Sequence, residues 1–398
     1  MEPRFSRRGF VRCFTYGSLI TSAIGSPSLD QDTTRDIAPL EFSLAKEIIC
    51  AFNRAISPDG RLMCIGYIAK RLGRIAVAVG SDKTVISHQG PSGFRVVVVE
   101  TGSWTEIYSA KVAGLPGPFS FFLNSEAVYG EASTYSPITC HRMVIDLRAR
   151  RLEERQKPFE DVTNVACQAL RDGRLMCVEG NSDLLQAGWP EFNVITRTGG
   201  GGRVSGCRLS VDRAKLIHLF DQQLVCRRVE DFSILWTREV DPAINLKARM
   251  RWSDPAKAPY VSSVHYDISA DGNTVALAPA GAISEDAPRR FYTEILDGET
   301  GKPAGRWPLY HHDGIALSAD GKLLAIGEVA DRGVGHVEPT VHVYSVPSCG
   351  EVATLVHDTT PRSQRLNASL SGGIEFTPDG RFLVTSANNH VKIWQLIR

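Results

Sequence analysis

The stretch that decides the fold is the last one, Gly372–Arg398, which reads GGIEFTPDGRFLVTSANNHVKIWQLIR. Apolar and polar residues alternate through Gly373–Thr377, and the chain then turns at Pro378-Asp379-Gly380. Alternation resumes over Phe382–Ser386 and again over Val391–Ile397. Alternation with period two marks half-buried strands, and Pro-Asp-Gly is turn chemistry. Proline presets φ, aspartate bonds its own backbone, and glycine accepts a positive φ. The segment therefore predicts three short antiparallel strands, one fewer than a four-stranded unit needs.

The same turn recurs upstream. Ile56-Ser57-Pro58-Asp59-Gly60-Arg61-Leu62 repeats the pattern closely, as do Leu170–Leu175, Ser269–Gly272 and Ser318–Gly321. Phe122–Val128 and Leu209–Ala214 are degraded versions. The turns centre on positions 59, 125, 172, 212, 271, 320 and 379. Their mean spacing of about 53 residues, with strands in every unit, is the signature of a radial repeat fold. A second pattern interleaves with the first: a third alternating strand per unit, at Phe94–Glu100, His141–Leu147, Phe192–Thr196, Gln223–Val229, Phe291–Leu296, Thr340–Val346 and Val391–Leu396. The expected architecture is all-β, a seven-bladed propeller of four-stranded antiparallel blades. The last unit is one strand short, and Pro39–Ala45 is a spare strand ahead of the first. Pairing the two closes the ring and removes an exposed sheet edge.

These units resemble the WD40 and WD40-like propeller repeat family. Val391-Lys392-Ile393-Trp394-Gln395 resembles the third-strand ending whose usual form is Trp-Asp, with Gln395 in place of the aspartate. Thr354-Leu355-Val356-His357 resembles the fourth strand with its following Gly-His, with Val356 in place of the glycine. The resemblance spans residues 38–398 and implies a scaffold that binds partners through its loops.

The N-terminus reads as an address. Ser6-Arg7-Arg8-Gly9-Phe10-Val11-Arg12 resembles the bacterial twin-arginine export motif, carried by Arg7, Arg8 and Phe10. An apolar stretch follows, Cys13–Ile24, too short for a stop-transfer helix. A signal peptide over 1–25, a polar linker over 26–37 and the propeller over 38–398 are the expected divisions. Export places the protein outside a bacterial cytoplasm; without a working signal it is a cytoplasmic scaffold.

Composition narrows the function classes. The 398 residues carry 45 basic and 44 acidic side chains, a net +1, which gives no case for a nucleic-acid partner. Past the N-terminus no apolar run is long enough for a membrane-spanning helix. The nine cysteines show no zinc spacing, and most sit in strand-like runs as small hydrophobes. One or two disulfides stay open for an exported chain. There is no Gly-x-Ser-x-Gly elbow and no His-Glu-x-x-His. The Gly199–Gly202 run lacks the following Lys-Ser/Thr of a phosphate loop.

Loop lengths are asymmetric. Connections that pair with the Asp-Gly turns on one face are short. Those of the other face hold insertions: Ile68–Gly90, Gly130–Ile138, Gly180–Pro190, Val240–Val261, Pro279–Arg290, Val329–Pro339 and His357–Ser371. Long loops on a rigid scaffold are where binding usually resides. Within them Lys247, Arg249, Arg251 and Lys257 interleave with Trp252 and Tyr260, a candidate face for an anionic ligand or a polysaccharide edge. His311 and His312, with Asp331 and His336, are the candidate metal ligands. No cofactor and no catalytic residue is expected. The leading reading is a monomeric, exported, non-catalytic scaffold for a protein partner or extracytoplasmic ligand. A lactonase-like hydrolase or a metal-dependent lyase with its site at the channel mouth is the alternative, on fold analogy.

Overall fold

The computed structural model describes residues 40–49, 51–69, 75–79, 82–86, 93–112, 114–135, 138–157, 167–170, 174–179, 183–188, 194–198, 204–220, 223–240, 263–280, 292–307, 314–331, 337–356, 373–387 and 390–397. Every regular element among them is a strand. β1 (Glu41–Ile49) leads into β2 (Ala51–Ile56), β3 (Leu62–Ala69), the hairpin β4 (Ile75–Val79) and β5 (Asp82–Ile86), then β6 (Gly93–Glu100) and β7 (Glu106–Val112). Next come β8 (Leu115–Phe121), β9 (Ala127–Tyr135), β10 (Ile138–Asp146) and β11 (Arg151–Lys157). They are followed by β12 (Cys167–Ala169), β13 (Arg174–Glu179), β14 (Asp183–Gly188) and β15 (Val194–Thr198). The fourth group is β16 (Val204–Leu209), β17 (Lys215–Phe220), β18 (Gln223–Arg228) and β19 (Ile234–Glu239). The fifth is β20 (Ser263–Ile268), β21 (Thr274–Ala280), β22 (Thr293–Asp297) and β23 (Pro303–Trp307). The sixth is β24 (Gly314–Leu317), β25 (Leu323–Asp331), β26 (Val337–Ser345) and β27 (Glu351–Val356), and the chain ends on β28 (Ile374–Phe376), β29 (Phe382–Ala387) and β30 (His390–Ile397).

These strands form seven sheets, six of them four-stranded and antiparallel. The last has six strands, in the order β28-β29-β30-β1-β4-β5. β1 runs antiparallel to β30 from Glu41↔Ile397 to Ile49↔His390, so it is longer than the Pro39–Ala45 strand read from sequence. The core lies between sheets rather than within one. One cluster joins Ile56, Met63, Val97 and Trp104 of the first sheet to Phe382, Val384 and Ile393 of the last. Others join the first sheet to the second through Val98, Phe121 and Met143, and the sixth to the last through Val343, Phe376 and Trp394. Successive side chains point to opposite faces, so consecutive buried runs such as Val96–Val99 and Val275–Ala278 feed the contacts with both neighbouring sheets.

Three readings from sequence are corrected. Phe192–Thr196 overlaps β15, the fourth strand of its sheet; the third strand is β14, inside the segment Gly180–Pro190 that was expected to be a loop. The segment Ile68–Gly90 is likewise not only loop, because β4 pairs with β1 and adds a hairpin to the last sheet. The insertions at Gly130–Ile138 and Val329–Pro339 are largely continuations of β9–β10 and β25–β26. In each case cross-strand pairing, which no local pattern encodes, converts apparent loop into ladder.

The Asp-Gly turns rest on one further residue. Ser57 donates its hydroxyl to Asp59 Oδ1 at 2.6 Å and accepts from Leu62 N–H at 2.9 Å. Ser210, Ser269, Ser318 and Thr377 repeat both bonds with Asp212, Asp271, Asp320 and Asp379. Partial burial opposes ionisation of Asp59, Asp271 and Asp320, but the hydroxyl and backbone donors outweigh it and hold these carboxyls below the ordinary value. A lowered folded value stabilises the fold above the ordinary carboxylate range and is lost as pH falls through it. The urea midpoint is therefore expected to hold down to about pH 4 and to drop below it. Ser269→Ala, which strips both bonds from a fully buried site, is expected to cost about 1–2 kcal/mol in urea denaturation.

β1 carries an unusual side chain. A bulge between Leu44 and Lys46 switches the sides of the strand, so Leu44 is 40% exposed and Lys46 only 1%. Lys46 Nζ has no hydrogen-bond partner and lies 5.3 Å from the centre of the Trp104 ring. Burial lowers its ammonium from 10.5 to about 8. Because the folded value lies below the unfolded one, stability is expected to rise as pH increases from about 8 to 10.5. The gain is on the order of 2–3 kcal/mol. Lys46→Met should remove that pH dependence and stabilise the protein at pH 7 by a similar amount, as thermal melts across this range would register.

Candidate functional site

The turns set the register of the first strand in each unit, and that register builds a cavity. The position two before the turn Ser or Thr is Ala55, Arg208, Asp267, Ala316 or Glu375. Three of the five are charged. With Arg54, one residue earlier on β2, and Arg213, from the turn after β16, they line a single cavity of about 380 Å3. First strands β2, β8, β16, β20, β24 and β28 form its wall, and Pro58, Val211, Ala270, Ala319 and Pro378 of the Asp-Gly turns form its rim. Val211 N–H bonds Ala270 C=O, and Ala270 N–H bonds Ala319 C=O, so adjacent turns are tied to each other around the opening.

Charge in the cavity is loosely paired. Arg54 Nε lies 4.0 Å from Glu375 Oε2, and Arg208 Nε lies 3.9 Å from Asp267 Oδ1. Both separations exceed hydrogen-bond length. Arg54 Nη1 donates to Ser386 Oγ, and Arg213 Nη2 reaches Phe121 C=O at 3.5 Å. Asp267 Oδ2 accepts from Leu317 N–H at 2.8 Å. Glu375 is 44% exposed, but into the channel rather than to bulk solvent, and that confinement pushes its carboxyl up against the pull of Arg54 and Arg208. Burial pushes Asp267 up as well, with Arg208 opposing.

Of the residues singled out from sequence, only Asp331 falls among the described ones. Lys247, Arg249, Arg251, Trp252, Lys257 and Tyr260 are outside the described residues, as are His311, His312 and His336, and Arg7, Arg8 and Phe10 of the export motif. Asp331 ends β25, opposite Val337. Among the described residues no group of three or more His, Cys, Asp or Glu is arranged to hold a metal, and no helix is long and apolar enough to cross a membrane. Cys64 and Cys226 are buried thiols outside any disulfide, and burial pushes Cys226 up to about 12. The channel charges escaped sequence reasoning because each stands alone in its strand. Their common signal, a charge two residues before the turn hydroxyl, is visible once the turn register is known.

Comparison with known proteins bears on the architecture. Residues 368–395 match the family model described as WD domain, G-beta repeat. No curated protein matches the chain. Among solved structures, the β-propeller domain of Cps50 (Swd1) from Myceliophteria thermophila superposes with a TM-score of 0.56. The match covers 90% of this chain and 100% of that one at 10% identity. The fold is a β-propeller. Its C-terminal repeat is WD40-like, and the matched segment contains the buried bond from Trp394 Nε1 to Thr385 Oγ1, 3.0 Å long, that ties the third strand of the propeller's last sheet to the second. The cavity lies where the first strands of a propeller converge, at the end carrying the tight turns.

Proposed function

We propose that the protein is an exported, seven-bladed WD40-like propeller, sealed by β1 in the last blade, that works as a non-catalytic scaffold for a protein partner or extracytoplasmic ligand. The observation that carries the reading is the difference between the two ends of the sheets. At one end sit the Ser/Thr-x-Asp turns, with the third-to-fourth-strand turns beside them: Thr101 N–H bonds Arg61 C=O, and Thr101 Oγ1 bonds Gly60 C=O. At the other end the second and third strands run on as hairpins. β25 and β26 stay paired to Asp331↔Val337, past the Gly314↔Gly327 pair where β24 ends. β9 and β10 stay paired to Tyr135↔Ile138, over a base where Tyr129 Oη donates to Glu131 Oε1 and Arg142 lies 3.8 Å from the same oxygen. Ladders that project from a rigid body present backbone and side chains to a partner with little ordering cost. The sequence between β19 and β20 holds Lys247, Arg249, Arg251, Trp252, Lys257 and Tyr260, the basic and aromatic side chains assigned to the binding face in this proposal.

Two experiments test the reading. Replacing residues 330–338 by Asn-Gly shortens the β25–β26 hairpin to a tight turn without touching its base. Co-purified partners should be lost from this variant and kept when Lys302 and Lys322 on the turn face are changed to Glu; equal recovery from both would refute the assignment of faces. N-terminal sequencing of the protein from the extracytoplasmic fraction should begin near residue 26, whereas an intact Met1 in the cytosol rules out export.

A further inference from the structure

The channel charges call for a ligand of their own. Elsewhere in the molecule arginines close directly on carboxylates: Arg238 binds Glu294 through Nε at 2.9 Å and Nη2 at 3.0 Å, and Arg306 adds a third bond at 2.7 Å. In the cavity none of the three guanidiniums makes such a fork. Arg54 Nε and Arg213 Nε are buried with no hydrogen-bond partner, and the side chain of Arg54 is only 8% exposed. Arg208 keeps its guanidinium half-exposed in the channel, with one long bond of 3.4 Å to Cys207 C=O. Guanidinium stays protonated under all ordinary conditions. Three fixed positive charges therefore face two carboxylates, Asp267 and Glu375, at separations too long for direct bonding. A surplus of unspent donors in a small, confined cavity is the chemistry of oxyanion recognition.

We propose that the turn-side mouth of the channel binds a small oxyanion, the carboxylate or phosphate group of a diffusible molecule, through Arg54, Arg208 and Arg213. The cavity of about 380 Å3 is at the small end of ligand sites and excludes a folded partner. Two backbone bonds tie the turns at Val211, Ala270 and Ala319 to one another along one side of the opening. Among the described residues, the charged and titratable groups facing the site are Arg54 from β2, Cys207 and Arg208 from β16, Arg213 from its turn with Asp212 beside it, Tyr266 and Asp267 from β20, and Glu375 from β28. Confinement raises both carboxyls, and each proton they take up removes a negative charge that competes with the ligand. For a ligand of fixed charge, anion affinity therefore rises as these carboxyls take up protons. Binding here does not depend on the hairpin end, so this proposal and the scaffold reading stand or fall separately.

The test is calorimetric titration of the full chain with inorganic phosphate and with citrate, at pH 7 and pH 5. Binding is expected at both pH values, and the ratio of affinities at pH 5 and pH 7 should be higher for the wild type than for Glu375→Gln, because the probe's own loss of charge on acidification is common to both. Arg208→Gln should weaken it about 10- to 100-fold. Glu375→Gln, nearly isosteric, should tighten it several-fold, an effect that a folding defect does not produce, and thermal melts of both variants check the fold. Preference for citrate assigns a carboxylate ligand and preference for phosphate a phosphoryl one. Absence of binding by either anion to the wild type and to Glu375→Gln overturns the proposal, as does equal affinity in the wild type and both variants.

Discussion

A chain lacking residues 1–49 is expected to lose cooperative folding or to melt tens of degrees below the intact protein. The deletion removes β1, and with it eight register partners on β30, from Glu41↔Ile397 to Ile49↔His390. Backbone bonds contribute about 0.5–1.5 kcal/mol each, net. Burying Ile48 in the cluster shared by the first and last sheets adds about 1.5–3 kcal/mol. The sum is on the order of 5–10 kcal/mol, comparable with the whole stability of an ordinary domain. Deletion also strips the partner of β4, since Lys46–Ile48 pair with Val77–Val79, so two sheet edges are exposed together. Thermal denaturation followed by circular dichroism measures the loss. Adding a synthetic peptide of residues 38–50 should restore part of it. A deletion variant melting within a few degrees of the intact chain would show that the β1–β30 ladder does not hold the molecule together.

Gly298→Ala is the point substitution with the largest expected cost, about 3 kcal/mol or more. A Cβ at this position would sit 2.1 Å from the carbonyl oxygen of Gly272 and 2.8 Å from the carbonyl carbon of Asn273. Both are backbone atoms of the neighbouring turn and cannot swing aside. Gly298 is pinned from two directions, by its N–H to Asn273 C=O at 2.7 Å and by its carbonyl, which accepts from Trp236 Nε1 at 2.9 Å. Relief of the clash would break the docking of Trp236 between the fourth and fifth sheets. Gly301, at φ +68° and directly against the same indole, leaves the turn no slack. Gly102 is the control: nothing lies within 4 Å of its Cβ position, so Gly102→Ala should be neutral or slightly stabilising. Similar melting temperatures for the two variants would contradict this account.

The parts of the fold legible in the sequence were those written locally. Asp59, Asp271, Asp320 and Asp379 announce their turns because the bonds that make them run within a few residues of each aspartate. β6 and β18 were marked by the apolar runs Val96–Val99 and Leu224–Cys226, buried on both sides by neighbouring sheets, and β26 and β30 by alternation around Val341–Val343 and Val391–Ile393. Where the signal was weak, the reading slipped. β14 reads Asp-Leu-Leu-Gln-Ala-Gly, with no alternation and no β-branched residue, and only its ladder with β13 makes it a strand. The third-to-fourth-strand links were expected to be short, but their backbone conformation was not legible. Trp104, Arg150, Phe232 and Cys349 hold a positive φ where Gly301 holds it with no steric cost. Tertiary packing of Trp104 and Phe232 in their clusters fixes them there against propensity.

What the amino-acid sequence determined by itself was the repeat: its turn chemistry, its period, and the expectation that a strand before the first unit pairs with the last. These follow from interactions between near neighbours and from a strand count that leaves one ladder unfilled. The tertiary structure alone decided which charges meet. Arg54, Arg208, Asp267 and Glu375 are scattered over most of the chain, each an isolated charge in its own strand. They share one cavity only because the first strands converge, and convergence is a property of the packed sheets. The same holds for Lys46, buried by a bulge that no pattern in Glu41–Ile49 reveals and that pairing with β30 imposes.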